Sequence, residues 1–89
     1  MSKIKGKAVV INKKKEITFE NTNQRIVVAH SLKPRDLVNL TNCRAIVVEE
    51  GGQLTHIAIF CREANIPFKI TPNATKKIKT GDSLEIDFD

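Results

Sequence analysis

The sequence predicts a single α/β domain over residues 1–89, an α/β sandwich with about six or seven short strands, one main helix and one minor helix. Two patterns carry that expectation. Apolar, β-branched runs of strand length recur along the chain, as in Ile26-Val27-Val28-Ala29 and Ala45-Ile46-Val47-Val48. One stretch has helical period instead: Ile57, Phe60, Cys61 and Ala64 fall at i, i+3, i+4 and i+7. Length sets the bound, because 89 residues make one modest core where typical domains run to about 100–150.

Taken in order, Gly6 to Ile11 reads as the first strand and Lys13-Lys14-Lys15 as a polar turn. Ile17-Thr18-Phe19 alternates like a short second strand. Asn21-Thr22-Asn23 is loop material, since these side chains compete with the backbone for hydrogen bonds. Ile26 to Ala29 is a central strand. Pro34 suits a first helical position, and Leu37, Val38 and Leu40 behind it make a short helix that Thr41-Asn42 ends. Arg44 to Val48 is the next strand, followed by Gly51-Gly52 and a helix over 55–65 that Pro67 must postdate. Ala58 and Ile59 widen its apolar face, so most of this helix is expected to be buried. Phe68-Lys69-Ile70 is a short strand, Pro72 to Thr75 and Gly81-Asp82 are turns, and Leu84, Ile86 and Phe88 alternate with Glu85 and Asp87 in a half-buried closing strand.

Between Glu49 and Pro67 the residue with useful chemistry at neutral pH is His56, in the first turn of the main helix. Backbone N–H groups there lack intrahelical partners and the helix dipole presents its positive end, so phosphate is favoured and an imidazolium is disfavoured. Gly51 and Gly52 permit a tight backbone approach, and Thr55 can cap the helix or bond a phosphoryl oxygen. The arrangement suits a histidine that accepts a phosphoryl group and passes it on. The plainer reading is a capping or otherwise satisfied polar residue, which a lone histidine at a helix start more often is. Arg62 falls about 240° around the helix from His56, and Glu63 shares its face two turns away, so both read as surface or docking residues. His30 reads as a loop residue without a catalytic part. Cys43, Cys61, His30 and His56 match no zinc-finger or ribbon spacing, and no metal site is expected.

The stretch Gly51-Gly52, Thr55-His56, Ala58-Ile59, Arg62-Glu63, Ile66-Pro67 resembles the phosphohistidine signature of the mobile, swivelling domain of phosphoenolpyruvate-utilising enzymes, with all ten residues in register. The resemblance extends to Arg25–Ala29 with Pro34 and Asp36, to Ala74-Thr75, and to Gly81–Asp87. It implies a swivelling β/β/α fold and a phosphorylated His56, with Gly51, Gly52 and Thr55 in support. The donor, phosphoenolpyruvate or a nucleotide, would be bound with its magnesium on partner domains or proteins, and this domain would hold no cofactor of its own. Two departures stand out. Leu54 replaces the threonine at which some plant-type dikinases are regulated, so no such regulation is expected. Phe68-Lys69-Ile70 replaces a small-residue, valine-rich strand ending in glycine.

Composition narrows the alternatives. The formal net charge is +5, with Lys3, Lys5, Lys7, Lys13, Lys14 and Lys15 at one end and Asp82, Glu85, Asp87 and Asp89 at the other. A lysine run is usually a solvated face. A competing reading is a non-catalytic module that docks an acidic partner through this basic face. Nucleic-acid binding is disfavoured because stacking needs aromatic platforms, and the chain has no Trp or Tyr and four Phe. No apolar run approaches the roughly 20 residues that span a bilayer, and no signal-peptide pattern opens the chain. Two cysteines without C-x-x-C spacing fit a reducing, cytoplasmic setting as small apolar residues. No Walker-type loop or magnesium cluster is present, so the domain is not expected to be active alone.

Overall fold

A computed structural model describes the backbone of residues 3–50 and 54–87, and the side chains of these except 54 and 55. The strands are β1 (Lys3–Ile11), β2 (Ile26–Ala29), β3 (Ala45–Val48), β4 (Phe68–Ile70) and β5 (Ser83–Asp87), and the α-helices are α1 (Phe19–Thr22), α2 (Leu54–Ala64) and α3 (Ala74–Lys77). They form a five-stranded sheet in the order β4-β3-β2-β1-β5. β1 to β4 run parallel, with Ala8 opposite Ile26, Ile26 opposite Ala45 and Ile46 opposite Phe68, whereas β5 is antiparallel to β1. Every parallel connection carries a helical segment, as a parallel pair requires.

The runs read as central strands are buried on both faces, which their unbroken apolar composition demands. Alternation divides the core. Val9, Ile11, Val27, Ala29, Ile46 and Val48 pack with Ile57 and Cys61 of α2 and with Leu37 and Leu40. Ala8, Val10, Ile26, Val28, Ala45 and Val47 face the other way, onto Ala74 of α3 with Ile78, Leu84 and Ile86 against them.

β1 changes partner along its length. Lys3 to Lys7 pair with Asp87 to Ser83, and Ala8 to Ile11 pair with β2. Beyond the end of β5, residues 80–82 take over its free edge: Ala8 donates to the Asp82 carbonyl at 2.8 Å, Gly81 donates to the Ala8 carbonyl at 2.9 Å, and Val10 donates to Thr80 Oγ1 at 2.9 Å. Gly81 turns there at φ 96°, a left-handed conformation that favours glycine. Gly6 lies where Arg44 crosses β1 to donate from Nε to the Lys5 carbonyl at 2.7 Å, and a Cβ on Gly6 would meet Arg44 Cδ at 3.0 Å. The sheet also curls. Lys69 of β4, at one edge of the order, donates from Nζ to the Asp87 carbonyl of β5, at the other edge, at 3.2 Å.

Five strands among the described residues replace the six or seven expected, and the difference lies at Ile17-Thr18-Phe19. Glu16 accepts from Asn12 N–H at 2.8 Å and Lys13 N–H at 2.7 Å, closing a 3-10 turn over Lys14–Glu16, and Thr18 then caps α1 by accepting from Asn21 N–H. Local side-chain bonds to the backbone thus outcompete the two-residue alternation that a strand needs. Thr22 is buried, its hydroxyl 2.8 Å from the carbonyls of both Thr18 and Asn39. The expected minor helix is a 3-10 helix over Pro34–Leu40, with Pro34 in its first turn, Leu37 and Leu40 buried and Val38 exposed. Asp36 there accepts from its own Lys33 N–H at 2.8 Å and from Lys14 Nζ at 2.9 Å. Burial pushes its carboxyl up, but these two donors outweigh burial and hold it below the usual range.

Ala74 to Lys77 adds a helical turn where only a turn was expected. The main helix is less enclosed than its composition predicts, since Ile59 is 54% exposed. In β5, Leu84 and Ile86 are half-buried with Ser83, Glu85 and Asp87 outward, as their alternation requires, and Phe88 lies outside the described residues. Among the described residues no helix is long and apolar enough to cross a membrane.

Candidate functional site

The site is built where β2 and β3 end. Ala29 and Val48 are paired in register, so the next residues, His30 and Glu49, emerge side by side at the carboxyl ends of two parallel strands. Ligands of open α/β sheets gather at such ends. From Glu50 three residues lead to α2, whose first turn carries His56.

α2 exists because one stripe of it has somewhere to go. Ile57 is 1% exposed and Cys61 3%, both in the core between the sheet and the 3-10 helix, with Phe60 and Ala64 packed partly against them. His56 precedes Ile57 by about 100° of helix rotation and is exposed. The far end stops before Pro67. Asn65 takes a left-handed φ of 57°, Ile66 N–H donates to the Cys61 carbonyl at 2.9 Å, and Asn65 N–H donates to the Arg62 carbonyl at 3.4 Å. This is a Schellman ending with asparagine in the glycine position.

At the ends of β2 and β3 lies a hydrogen-bond network that the sequence did not single out. Glu49 Oε1 is 2.8 Å from His30 Nδ1, and its Oε2 accepts from both the N–H and the hydroxyl of Thr75, each at 2.8 Å. It thereby gives α3 the acceptor that its own N-cap, Asn73, does not provide. Glu50 Oε1 is 3.4 Å from His30 Nε2. The backbone repeats the tie, since the His30 carbonyl accepts from the N–H of Glu49 at 3.1 Å and of Glu50 at 3.0 Å.

The electrostatics follow from these bonds. The His30 hydrogen bond first, then the Thr75 hydroxyl and N–H, hold the Glu49 carboxyl down to about 2. The same bond to Glu49, followed by the charge of Glu50, raises the His30 imidazole above its ordinary value. Around His30, Asn12, Lys13, Lys14 and Ser31 line a cleft of 130 Å³.

Of the residues singled out from sequence, His56 stands exposed in the first turn of α2. Thr55 lies on the α2 backbone, with its side chain outside the described set, and Gly51 and Gly52 lie outside the described residues. His30, read as a bystander, is instead paired with both acids that precede the glycine pair. The equal lengths of the two apolar runs before His30 and before Glu49 were the available signal, but only strand adjacency turns it into a contact. Cys43 and Cys61 are buried free thiols. Among the described residues, no group of three or more His, Cys, Asp or Glu side chains is arranged to hold a metal ion.

A probable phosphoenolpyruvate synthase of Pyrococcus abyssi is 37% identical over 84 residues, covering 92% of this chain and 10% of that protein. A phosphoenolpyruvate-protein phosphotransferase of Enterococcus faecalis is 42% identical over 64 residues, covering 68% of this chain and 11% of that protein. The chain therefore spans only about a tenth of the length of these relatives. An NMR solution structure of Enzyme I (nEIt) matches with a TM-score of 0.67 at 28% identity, over 73% of this chain and 27% of that one. The family model of the PEP-utilising enzyme mobile domain matches residues 21–89, and the chain belongs to that family.

Proposed function

We propose that this chain is a phosphoryl carrier in which His56 accepts a phosphoryl group at one site and delivers it to another. The observation that carries the reading is His56 itself, exposed in the first turn of an eleven-residue helix and inside the family's ten-residue signature. An imidazole nitrogen attacks the donor phosphorus as the bond from phosphorus to the donor oxygen breaks. The new P–N bond later breaks in the same way onto the acceptor. Phosphoryl transfer depends mainly on positioning and charge stabilisation, so a small domain can contribute the nucleophile alone. First-turn N–H groups of a helix lack intrahelical partners and would favour the anionic group on His56, with Gly51, Gly52 and Thr55 as supports. Nucleotide-binding and phosphoenolpyruvate- or pyruvate-binding domains or proteins would hold the donors with magnesium, and a swivelling motion would carry this domain between them.

The test is mass spectrometry at mildly alkaline pH after incubation with the donor protein, magnesium and either phosphoenolpyruvate or ATP. One phosphoryl group per chain is expected, lost in acid and kept in base as a phosphoramidate is. His56→Ala should abolish it without unfolding the domain, because an exposed first-turn side chain contributes little packing. Labelling that survives His56→Ala, or that maps to Thr55 or a lysine, overturns the assignment.

A further inference from the structure

We infer that His30 and Glu49 are positioning residues for His56, fixing the strand end from which the chain passes to the first turn of α2; the inference rests on the carrier reading of His56. Three residues separate Glu50 from Leu54, so the start of α2 has two anchors. One anchor is the packing of Ile57 and Cys61 in the core. The other is the end of β3, and His30 holds it twice. Its carbonyl accepts from Glu49 and Glu50, and its ring lies 2.8 Å from Glu49 and 3.4 Å from Glu50. Through Oε2, Glu49 extends the tie to Thr75 on the opposite face of the sheet. Nothing in core packing asks for this: the His30 side chain is 63% exposed. An exposed histidine set between two acids makes structural sense as a brace on the end of β3.

The brace depends on charge. The groups facing His30 are Glu49 and Glu50 at the end of β3 and Lys14 from the 3-10 turn, with Lys13 lining the same cleft. A protonated ring can donate to both acids at once, whereas a neutral one donates from a single nitrogen. The hold on the strand end therefore weakens as pH rises through the elevated His30 value.

Two measurements on the same proteins test this: amide exchange at Glu49 and Glu50, and site-resolved labelling of His56 by potassium phosphoramidate. In the labelling step the imidazole–phosphorus bond forms, the P–N bond of the reagent breaks, ammonia leaves and the ring N–H proton goes to water. His30→Ala should speed exchange at 49 and 50 and slow His56 labelling several-fold, because the first turn of α2 is then less well held. His30→Gln keeps one donor to Glu49 but no charge. It should recover part of the rate, and the wild-type advantage over it should shrink as pH rises from 6 to 9. An unchanged His56 labelling rate in His30→Ala overturns the positioning role. Slower labelling with unchanged exchange also overturns it, because the effect would then bypass the strand end. If wild type takes no phosphoryl group at His56 while exchange at 49 and 50 still responds to His30→Ala, the carrier reading fails and the brace itself stands.

Discussion

Cys43 and Cys61 on one side, and Glu49 with His30 on the other, respond to their surroundings in opposite ways. Burial pushes the thiols up, Cys43 to about 12 with a further push from the nearby Cys61, and Cys61 to about 11. A free thiol near 8.5 has about 300 times the thiolate fraction of Cys61 at pH 7.5, and the thiolate is the nucleophile. Maleimide should therefore modify the native protein far more slowly than the urea-unfolded chain, and comparable rates in the two states would contradict the buried placement. Glu49 and His30 are instead stabilised as charges by each other. A carboxyl held near 2 contributes stability above its unfolded value of about 4.5 and loses it as pH falls toward 2. A histidine raised above 6.5 contributes fully below that value and loses its part as pH rises through the folded one. Both contributions are therefore complete only between the two unfolded values, from about pH 4.5 to about 6.5.

At the level of elements, α2 shows what periodicity reveals and what it does not. The stripe of Ile57, Phe60, Cys61 and Ala64 places the helix within a residue at each end, since its buried face is written at 3.6-residue spacing. Ile59 was expected to join that face yet points to solvent, because residue type alone does not fix how wide a groove the sheet offers. Pro67 marks a limit, but the actual stop is Asn65, whose left-handed conformation no apolar pattern announces. That position makes a sharp test. Asn65→Val forces a β-branched residue to positive φ and should cost about 1–2 kcal/mol, some 4–16 °C in melting temperature for a domain of this size, whereas Asn65→Gly should be close to neutral. Equal melting temperatures for the two variants would mean that Asn65 does not end the helix as described. The lost strand at Ile17–Phe19 has the same origin as the Asn65 ending. Both were decided by a few local hydrogen bonds, to the Glu16 and Thr18 side chains in one case and to the Cys61 and Arg62 carbonyls in the other, which leave no periodic trace. The brace of His30 on Glu49 was hidden for a third reason, that it joins residues 19 apart through strand adjacency.

Across the whole molecule, the uneven charge of the sequence is largely folded onto itself. β1 and β5 pair antiparallel, so Lys3 faces Asp87 and Lys5 faces Glu85, with Lys5 Nζ 3.8 Å from the Glu85 carboxylate. Lys14 is spent on Asp36 and on the Ser31 carbonyl. A basic face partly opposed by its own acids is a weaker basis for docking an acidic partner than the sequence alone suggests. The same view of the molecule bears on activity. The carboxyl ends of β2 and β3 present a histidine and two acids. Phosphoryl transfer from phosphoenolpyruvate or ATP needs that charge neutralised and the attacking atom held in line. On the carrier reading the donor's own protein supplies both, so the domain by itself should release no pyruvate from phosphoenolpyruvate and no ADP from ATP above the buffer blank, with magnesium present. Adding the donor protein should make His56 label, and omitting magnesium from that mixture should stop it. Turnover of either donor by the purified domain alone would mean that it carries a nucleotide or enolpyruvate site of its own, and its place as a carrier between other sites would have to be abandoned.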